Sequence, residues 1–230
     1  METVLVVGAS GNIGVSVIIA ALRSGRNVLA IVRSKSAESK IIRHVGTIDG
    51  ITFVEAEVTD ENSVQKVIEK VKSGELPAFQ HVYSAGKYSS RLMAYRATVP
   101  YLIDQGYPDA TWTLVTGSAG DLGFAGVTAI SQGALFSLAS VACLENLKTN
   151  VRFNEVYLGY RVDYDAVVKE KGDDNRMTSS EFSRVYEAIL ANKTIKGCRI
   201  TVSGPADIDE LKYKKKLPDW DYESLFAEYM

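Results

Sequence analysis

The chain has 230 residues, of which 46% are hydrophobic and 23% charged, and its formal net charge is −2. These values are typical of one globular domain with a substantial core, and they lack the basic excess of a nucleic-acid-binding protein. The apolar run at 3–7 is too short to cross a bilayer and has no basic flank, so we expect no membrane partner, no nucleic-acid partner and a cytoplasmic location.

Short runs rich in β-branched residues alternate with longer helical patterns. Strands are predicted at 3–7, 27–32, 51–58, 79–85, 111–117, 151–158 and 198–204. Helices are predicted at 12–24, 36–44, 61–73, 90–105, 127–148 and 179–191, the first of them capped by Gly25. This alternation is typical of a parallel sheet with crossover helices. We therefore predict a single α/β domain over 1–204, a doubly wound seven-stranded parallel sheet with helices on both faces.

The last stretch, 205–230, departs from the alternation. It contains the lysine cluster KYKKK and an acidic, aromatic end. Such a composition is typical of a solvated C-terminal tail, which is the structure we predict. The alternative is an ordered arm that packs on a neighbouring subunit or closes a pocket.

The cysteines and histidines match no metal or redox motif. Cys143 and Cys198 are far apart in the chain, and we interpret both as buried packing residues in a reducing compartment. His44 and His81 are each solitary, without a Cys, Asp or Glu at a ligand spacing. We assign no metal site.

A three-glycine turn joins the first predicted strand to the first helix. The stretch VLVVGASGNIG places Gly8, Gly11 and Gly14 there. Glycines permit a sharp turn, a close approach of the backbone to a pyrophosphate and tight packing of the helix, whose N-terminus attracts phosphate. A tight turn alone could select them, but their position in an alternating chain favours a Rossmann-fold nucleotide site. The predicted contacts in this turn also include Ser10, Asn12 and Ile13.

The end of the second strand discriminates between the nicotinamide cofactors. An acidic residue there binds the ribose 2′-hydroxyl of NAD(H), whereas an arginine accommodates the 2′-phosphate of NADP(H). Here the strand ends AIVRSKS, with Arg33, Ser34 and Lys35, and Ser10 lies in the glycine turn. These residues predict NADP(H) as the cofactor.

Segments spread over most of the chain share the pattern of one family. They are GASGNIG, EVTDENSV, YSAG, VTGSAG, VRFNEVYLG and GCRITVSG. In this order they resemble the glycine turn, the segment beside the adenine, the strand end Asn-Asn-Ala-Gly, the serine-bearing strand, the strand Arg-x-Asn-x-Val-x-Pro-Gly and the terminal strand of the short-chain dehydrogenase/reductase superfamily. The resemblance spans Thr3 to about Gly204. It implies a catalytic Ser118 and cofactor contacts from Glu57, Val58, Ser84, Ala85, Gly86, Leu158 and Gly159.

The family's catalytic Tyr-x-x-x-Lys has no counterpart. The stretch GVTAISQGAL aligns Thr128 with the tyrosine and Gln132 with the lysine. A threonine hydroxyl is far less acidic than a phenol, and Gln132 has no charge to stabilise an alkoxide. Because general acid–base assistance contributes about 10²- to 10⁴-fold, its loss slows hydride transfer without forbidding it. Gln132 can still hydrogen-bond the nicotinamide ribose; helix capping is the alternative for this polar group, and we prefer it for Ser131.

Other side chains must then bind the substrate and supply the proton. The candidate catalytic residues are Ser118, Thr128, Gln132 and Tyr88. The predicted substrate pocket lies beyond the carboxyl ends of the strands and contains Tyr83, Tyr157, Arg161 and Asp163. Of these, Arg161 and Asp163 could orient a substrate as an ion pair, and packing is the alternative role of each tyrosine. The segment after Gly86 also lacks the family's relay asparagine and is shorter than usual, which leaves the formation of a homo-oligomer open.

Three functions fit this pattern. The first is an NADP(H)-binding oxidoreductase that reduces a carbonyl, imine or activated alkene of a small organic substrate without the Tyr/Lys pair. The second is a non-redox enzyme, such as an isomerase, dehydratase or cyclase, that converts its substrate with no change in NADPH absorbance. The third is a non-catalytic NADP(H) sensor or regulatory protein, whose mark is cofactor-dependent binding to another protein.

Overall fold

The computed structural model describes residues 1–86, 88–172 and 175–222. The strands are β1 Thr3–Val7, β2 Asn27–Val32, β3 Ile51–Glu55, β4 His81–Ser84, β5 Thr111–Gly117, β6 Arg152–Leu158, β7 Arg161–Asp163, β8 Arg176–Thr178, β9 Cys198–Val202 and β10 Lys212–Lys215. The helices are α1 Asn12–Arg23, α2 Lys35–Val45, α3 Glu61–Lys72, α4 Tyr88–Gln105, α5 Ala119–Leu122, α6 Val127–Glu145, α7 Asp165–Lys171, α8 Ser179–Ala191 and α9 Ala206–Asp209. Gly25, with a φ of +71°, follows the cap residue Ser24 of α1.

Eight strands form the main sheet, in the order β10-β9-β6-β5-β4-β1-β2-β3. All neighbours are parallel except β10, which runs antiparallel to β9. The α/β fold and the seven predicted strands are confirmed, but the predicted strand count omits β10 and the separate parallel pair β7-β8. The sequence KYKK of β10 lacks an alternation of apolar side chains because all four residues are exposed and the strand is held by backbone pairing.

The prediction of a solvated tail is wrong for the described part of 205–230. Beyond β10, the ammonium of Lys216 lies 2.8 Å from the carboxylate of the fully buried Glu155, and Leu217 packs against the core. These residues form an arm on the protein's own sheet. The rest of the predicted tail, 223–230, lies outside the described residues.

Two hydrophobic cores lie on opposite faces of the sheet. One is formed against α3, α4 and α6, and it includes Leu5 and Trp112. The other is formed against α1, α2 and α8, and it includes Val6 and Ile200. Alternate residues of a strand point to opposite faces of the sheet, and here both sets are apolar. Helices therefore pack on both faces, as in other doubly wound sheets. Cys143 and Cys198 are buried free thiols, as predicted.

Helix α6 differs from the other long helices in its exposure. The helix has 19 residues, of which an 18-residue stretch has a mean hydropathy of 1.7, and in the described chain it is the one helix with the length and apolar composition of a membrane span. Only 22% of that stretch is buried inside the protein. Val127 and Ile130 are 80% and 75% exposed. A large apolar face of α6 therefore has no covering element in the described chain.

An acid-sensitive cluster lies at the amino edge of the sheet. The Glu2 carboxylate accepts hydrogen bonds from Arg26 Nε at 2.5 Å and from the Tyr107 hydroxyl, and His81 Nε2 lies 3.3 Å away. Burial raises the pKa of Glu2, but these three partners outweigh burial and lower the pKa to about 2. Burial lowers the pKa of His81 to about 4. Both groups therefore bind fewer protons in the folded than in the unfolded chain.

We expect the free energy of unfolding to fall as the pH drops. His81 contributes between its ordinary pKa of 6.5 and about 4, and Glu2 contributes between 4.5 and about 2, because in each window the unfolded chain takes up the proton first. The His81→Gln variant should lose the first contribution, a slope of up to about 1.4 kcal/mol per pH unit. Urea unfolding at pH 7, 5.5 and 4.5 measures it. Equal slopes in both proteins would contradict this assignment.

Candidate functional site

A cleft of about 550 Å³ opens at the carboxyl edge of the sheet, where β1, β2 and β4 end. Carboxyl edges are where doubly wound sheets bind ligands. Of the residues predicted to bind the cofactor, the cleft is lined by Gly8, Ser10, Gly11, Arg33, Glu57, Val58, Ala85 and Gly86. Thus the segments that follow four strands, β1, β2, β3 and β4, converge on one cavity.

The glycine turn is packed on one side and open on the other. Gly8 has a φ of +81°, and a Cβ there would lie 2.9 Å from Gly86 N. A Cβ on Gly14 would lie 2.3 Å from Gly8 O, so α1 packs directly on the turn. At Gly11 the nearest atom to such a Cβ is 3.5 Å away, an ordinary contact. Gly8 and Gly14 are thus required by the fold, whereas Gly11 leaves room for a ligand.

The N-terminus of α1 lies at this opening. Its cap residue Gly11 makes no side-chain cap, and the first turn contains no acidic residue. The N–H groups of a first turn lack carbonyl partners within the helix and lie at its positive dipole end. In α1 the Ile13 N–H donates to Asn12 Oδ1 at 3.0 Å. This end of α1 therefore fits an anion such as a pyrophosphate, because backbone donors and space occur together.

Two cations lie at the mouth of the cleft, Arg33 after β2 and Lys40 on α2. Lys40 is absent from the sequence predictions, because no local motif marks it and only the packing of α2 brings it to the cleft. Its ammonium lies 5.0 Å from the ring centre of Tyr164, and the Tyr164 hydroxyl donates to Ser10 O at 2.7 Å. The end of β2 carries no carboxylate, so this mouth suits a phosphate better than a ribose hydroxyl.

The other predicted cofactor residues do not line this cleft. Asn12, Ile13 and Gly14 form the first turn of α1. Ser34 is the N-cap residue of α2 but makes no side-chain cap, and its Oγ lies 2.9 Å from Ser36 Oγ. The remaining members lie on the start of α2, inside the sheet, at and just beyond the end of β6 or on α6, and they are Lys35, Ser84, Leu158, Gly159 and Gln132. The cleft also contains residues outside our prediction, among them Thr59 and Ser90.

Ser118 and Gln132 lie together at the end of β5. The N–H of Ser118 donates to Leu158 O at 3.1 Å, and Gln132 Oε1 accepts from Gly117 N–H at 2.8 Å. The side-chain oxygen of Gln132 is therefore bonded to the backbone, and its amide N–H group remains as a donor. Thr128 lies one turn before Gln132 and is exposed. Ser131 Oγ donates to Thr128 O at 2.9 Å, in keeping with the local role we prefer for it.

The placement of Tyr83 in the substrate pocket is wrong. Its side chain is 1% exposed and packs edge-on against Tyr186 in the core between the sheet and α8, with ring centres 4.7 Å apart. Burial raises its pKa well above the ordinary value, so it is a poor acid. The period of a strand explains the error, since Tyr83 and Ser84 point to opposite faces. Tyr88 begins α4 and is 39% exposed, so it remains accessible.

The three other predicted pocket residues occupy two places. The ring centre of Tyr157 lies 5.9 Å from the ring centre of Phe136. The guanidinium carbon of Arg199 lies 5.0 Å from the Tyr157 ring centre. Arg161 and Asp163 form the predicted ion pair at 3.1 Å. Arg176, which the sequence did not single out, is a second partner of Asp163, and together they lower the pKa of this carboxyl against the effect of burial. The structure therefore does not gather these residues around one point.

Comparisons with known proteins agree with this architecture. The model of the NmrA-like family matches residues 1–74. The chain is 48% identical to short-chain dehydrogenase/reductase iacG of Pestalotiopsis fici, over 94% of this chain and 96% of that protein. A short-chain type dehydrogenase/reductase from Mycobacterium marinum has a similar fold, with a TM-score of 0.73, 20% identity and coverage of 87% and 93% of the two chains. The Pseudomonas aeruginosa RhlG/NADP active-site complex gives a TM-score of 0.75, 15% identity and coverage of 88% and 95%.

Proposed function

Since this chain belongs to the short-chain dehydrogenase/reductase superfamily, we propose that it is an NADP(H)-dependent oxidoreductase that reduces a carbonyl, imine or activated alkene of a small organic substrate. The observation that carries the proposal is the open cleft, with the N-terminus of α1 at its base and Arg33 and Lys40 at its mouth. We further propose a cytoplasmic location, because both cysteines are buried free thiols.

Different residues of the cleft bind different parts of NADP(H). Bound NADPH supplies a hydride and its electron pair to the substrate. The N–H groups at the start of α1 bind the pyrophosphate, and the small glycines admit its approach. Arg33 and Lys40 bind the 2′-phosphate through charge-assisted hydrogen bonds.

The residues at the end of β5 position the reacting groups. Gln132 donates its amide N–H to the ribose, and Ser118 donates its hydroxyl to the substrate oxygen. Thr128 is exposed, so the proton that completes the reduction comes from water at that position rather than from a phenol. We therefore propose slow turnover, short of the family's usual rate by a factor within about 10²–10⁴.

The double variant Arg33→Ala/Lys40→Ala tests the choice of cofactor. We expect NADPH affinity to fall about 10- to 100-fold, because a charge-assisted hydrogen bond contributes about 1.5–3 kcal/mol. NADH affinity should change less than threefold, because NADH has no 2′-phosphate. Titration calorimetry measures both.

Lys35→Ala is the matched control, because Lys35 neighbours Arg33 in sequence but does not line the cleft. It should bind NADPH nearly as the wild type does. Equal losses for NADPH and NADH in the double variant would refute the 2′-phosphate role. A wild-type protein that binds neither nucleotide at millimolar concentration would refute the proposed function.

We also propose that the exposed face of α6 binds a second copy of this chain. Between Val127 and Leu144 the helix has no charged residue, so it suits an identical, uncharged face. Leu122 and Phe124, 68% and 57% exposed, lie just before α6 in the chain. Exposed apolar patches of this kind mark interfaces.

Ile130→Glu should convert the protein to a monomer in light scattering coupled to gel filtration. Because Ile130 is exposed within a single chain, its substitution should leave the unfolding of the monomer unchanged. Ile48→Glu is the control, since Ile48 is 55% exposed but lies outside α6. A wild-type protein that is still monomeric at about 100 μM, a concentration at which even a weak dimer forms, would contradict the proposed interface.

A further inference from the structure

Arg91 is a buried cation at the carboxyl edge of the sheet. It lies in the first turns of α4, and only 8% of the residue is exposed. The last paired residue of β4 is Ser84, opposite Leu114, and β5 continues beyond it to Gly117. The Arg91 guanidinium donates from Nη1 to the carbonyl of Val115, the first residue past that pairing. It therefore lies just beyond the end of β4.

No anion among the described residues neutralises this guanidinium. Within that part of the chain, no carboxylate lies within 4.0 Å of it, and its Nε is buried without a hydrogen-bond partner. Burial lowers the pKa of Arg91 to about 10, which still leaves it charged at neutral pH. A buried charge with one neutral acceptor is costly, and proteins normally pair such a charge.

Arg152 is a second buried arginine, and its Nε, like that of Arg91, has no hydrogen-bond partner. The two differ in the acceptors of their Nη1 groups. Arg152 lies at the opposite, amino edge of the sheet and is 5% exposed. Its Nη1 donates to the carbonyls of Ile189, Asn192 and Ile195, at and beyond the C-terminal end of α8. That end carries the negative pole of the helix dipole. Arg91 has no comparable set of acceptors in the described chain.

The neighbours of Arg91 belong to the candidate site. Ser90, adjacent in sequence, lines the cleft together with Gly86. At the same edge α6 offers the neutral Gln132, and the cleft cations Arg33 and Lys40 are exposed. Of these four residues, Arg91, Gln132, Arg33 and Lys40, Arg91 is the one that is both charged and buried. A guanidinium also suits planar oxygen anions, because its donors form a rigid fork.

We propose that Arg91 binds a negatively charged oxygen of the bound ligand at the end of β4. This inference rests on the proposed function and deepens it, because it supplies the charge that Gln132 does not carry. The oxygen belongs either to the cofactor, in its pyrophosphate, or to the substrate, at its carboxylate or reacting carbonyl. In the second case the guanidinium stabilises the oxygen on which charge develops during reduction.

The experiment compares wild type, Arg91→Met and Arg91→Lys, with Arg152→Lys as the matched control at the other edge. NADPH is the probe for a cofactor oxygen, and oxalate, added with saturating NADP⁺, is the probe for a substrate oxygen. Thermal unfolding without ligand is measured on every variant. Titration calorimetry then gives the affinity for each probe.

If Arg91 awaits an anion, Arg91→Met should unfold within about 3 °C of the wild type, because replacing an unpaired buried charge by an apolar chain is often neutral. Its affinity for one probe should fall about 10- to 100-fold. Arg91→Lys should retain part of that affinity, and Arg152→Lys should retain all of it. A loss for NADPH assigns the oxygen to the cofactor, and a loss for oxalate alone assigns it to the substrate.

Two results would overturn the proposal. One is an Arg91→Met protein that fails to fold or unfolds far below the wild type, because Arg91 then serves the fold through Val115. The other is unchanged affinity for both probes in Arg91→Met. The proposal also fails if Arg91→Met binds NADPH normally and the wild type binds no oxalate. Failure of the proposed function is distinct, since the wild type itself would then bind no NADPH.

Discussion

Glu155→Gln is expected to lower the free energy of unfolding by about 3–5 kcal/mol, the usual cost of breaking a buried ion pair on one side. The Glu155 side chain is fully buried on β6. It accepts two hydrogen bonds from Arg199, at 2.9 and 3.0 Å, and lies 2.8 Å from the Lys216 ammonium. A neutral glutamine fills the same space but leaves both cations without an anion.

The midpoint of thermal unfolding should fall by about 6–20 °C. Because Lys216 joins the C-terminal arm to the sheet, hydrogen exchange should also show lost protection in β10 before the rest of the sheet. Glu75→Gln is the control: Glu75 pairs with Lys70 at 2.7 Å, but both side chains are about half exposed. It should cost less than about 1 kcal/mol. Equal effects of the two substitutions would show that Glu155 is not a buried anchor.

Gly14→Ala should destabilise the fold, whereas Gly11→Ala should spare the fold and weaken nucleotide binding. A Cβ on Gly14 would lie 2.3 Å from Gly8 O and 2.7 Å from Ala9 Cα, both backbone atoms that cannot move without opening the turn. We expect a loss of about 3 kcal/mol, at the upper end for overpacking, because the alanine preference of a helix returns only about 1 kcal/mol. Chemical unfolding followed by circular dichroism measures it.

Gly11 provides the matched comparison within the same turn. Its φ of −79° suits any residue, and an added Cβ meets nothing closer than 3.5 Å. Gly11→Ala should therefore change stability by at most about 1 kcal/mol, the scale of an N-cap substitution. Its methyl group would occupy the approach to the α1 N-terminus, and NADPH affinity should fall at least tenfold. A folded Gly11→Ala protein with wild-type affinity would remove the pyrophosphate from this place.

The elements that local patterns encode were predictable. The apolar runs of β1 and β2 are buried along their length, and the amphipathic pattern of 61–73 corresponds to α3. Short elements such as α5, β7 and β8 were missed, because three or four residues are too few to display a period. β10 was missed for another reason, since its lysines are exposed and its pairing is made by the backbone.

The site was predictable where it lies in contiguous motifs. The glycine turn, Arg33 and the strand end at Ala85 and Gly86 all line the cleft. The sequence places Tyr83 in the pocket because it adjoins that strand end, although its side chain points into the core. Arg176 meets Asp163 because β8 pairs with β7, and strands of three residues are too short to display a pattern that would reveal this contact.

The sequence by itself determined the doubly wound α/β architecture, the glycine turn and the basic end of β2, because each is a local pattern of apolar periods or backbone requirements. Only the tertiary structure decided that Lys40 reaches the cleft, that Arg91 is buried without an anion and that the arm through Lys216 is anchored on Glu155. The physical reason is that burial and charge pairing depend on which distant segments pack together, and a charged side chain reads the same in the sequence whether it faces water or a partner.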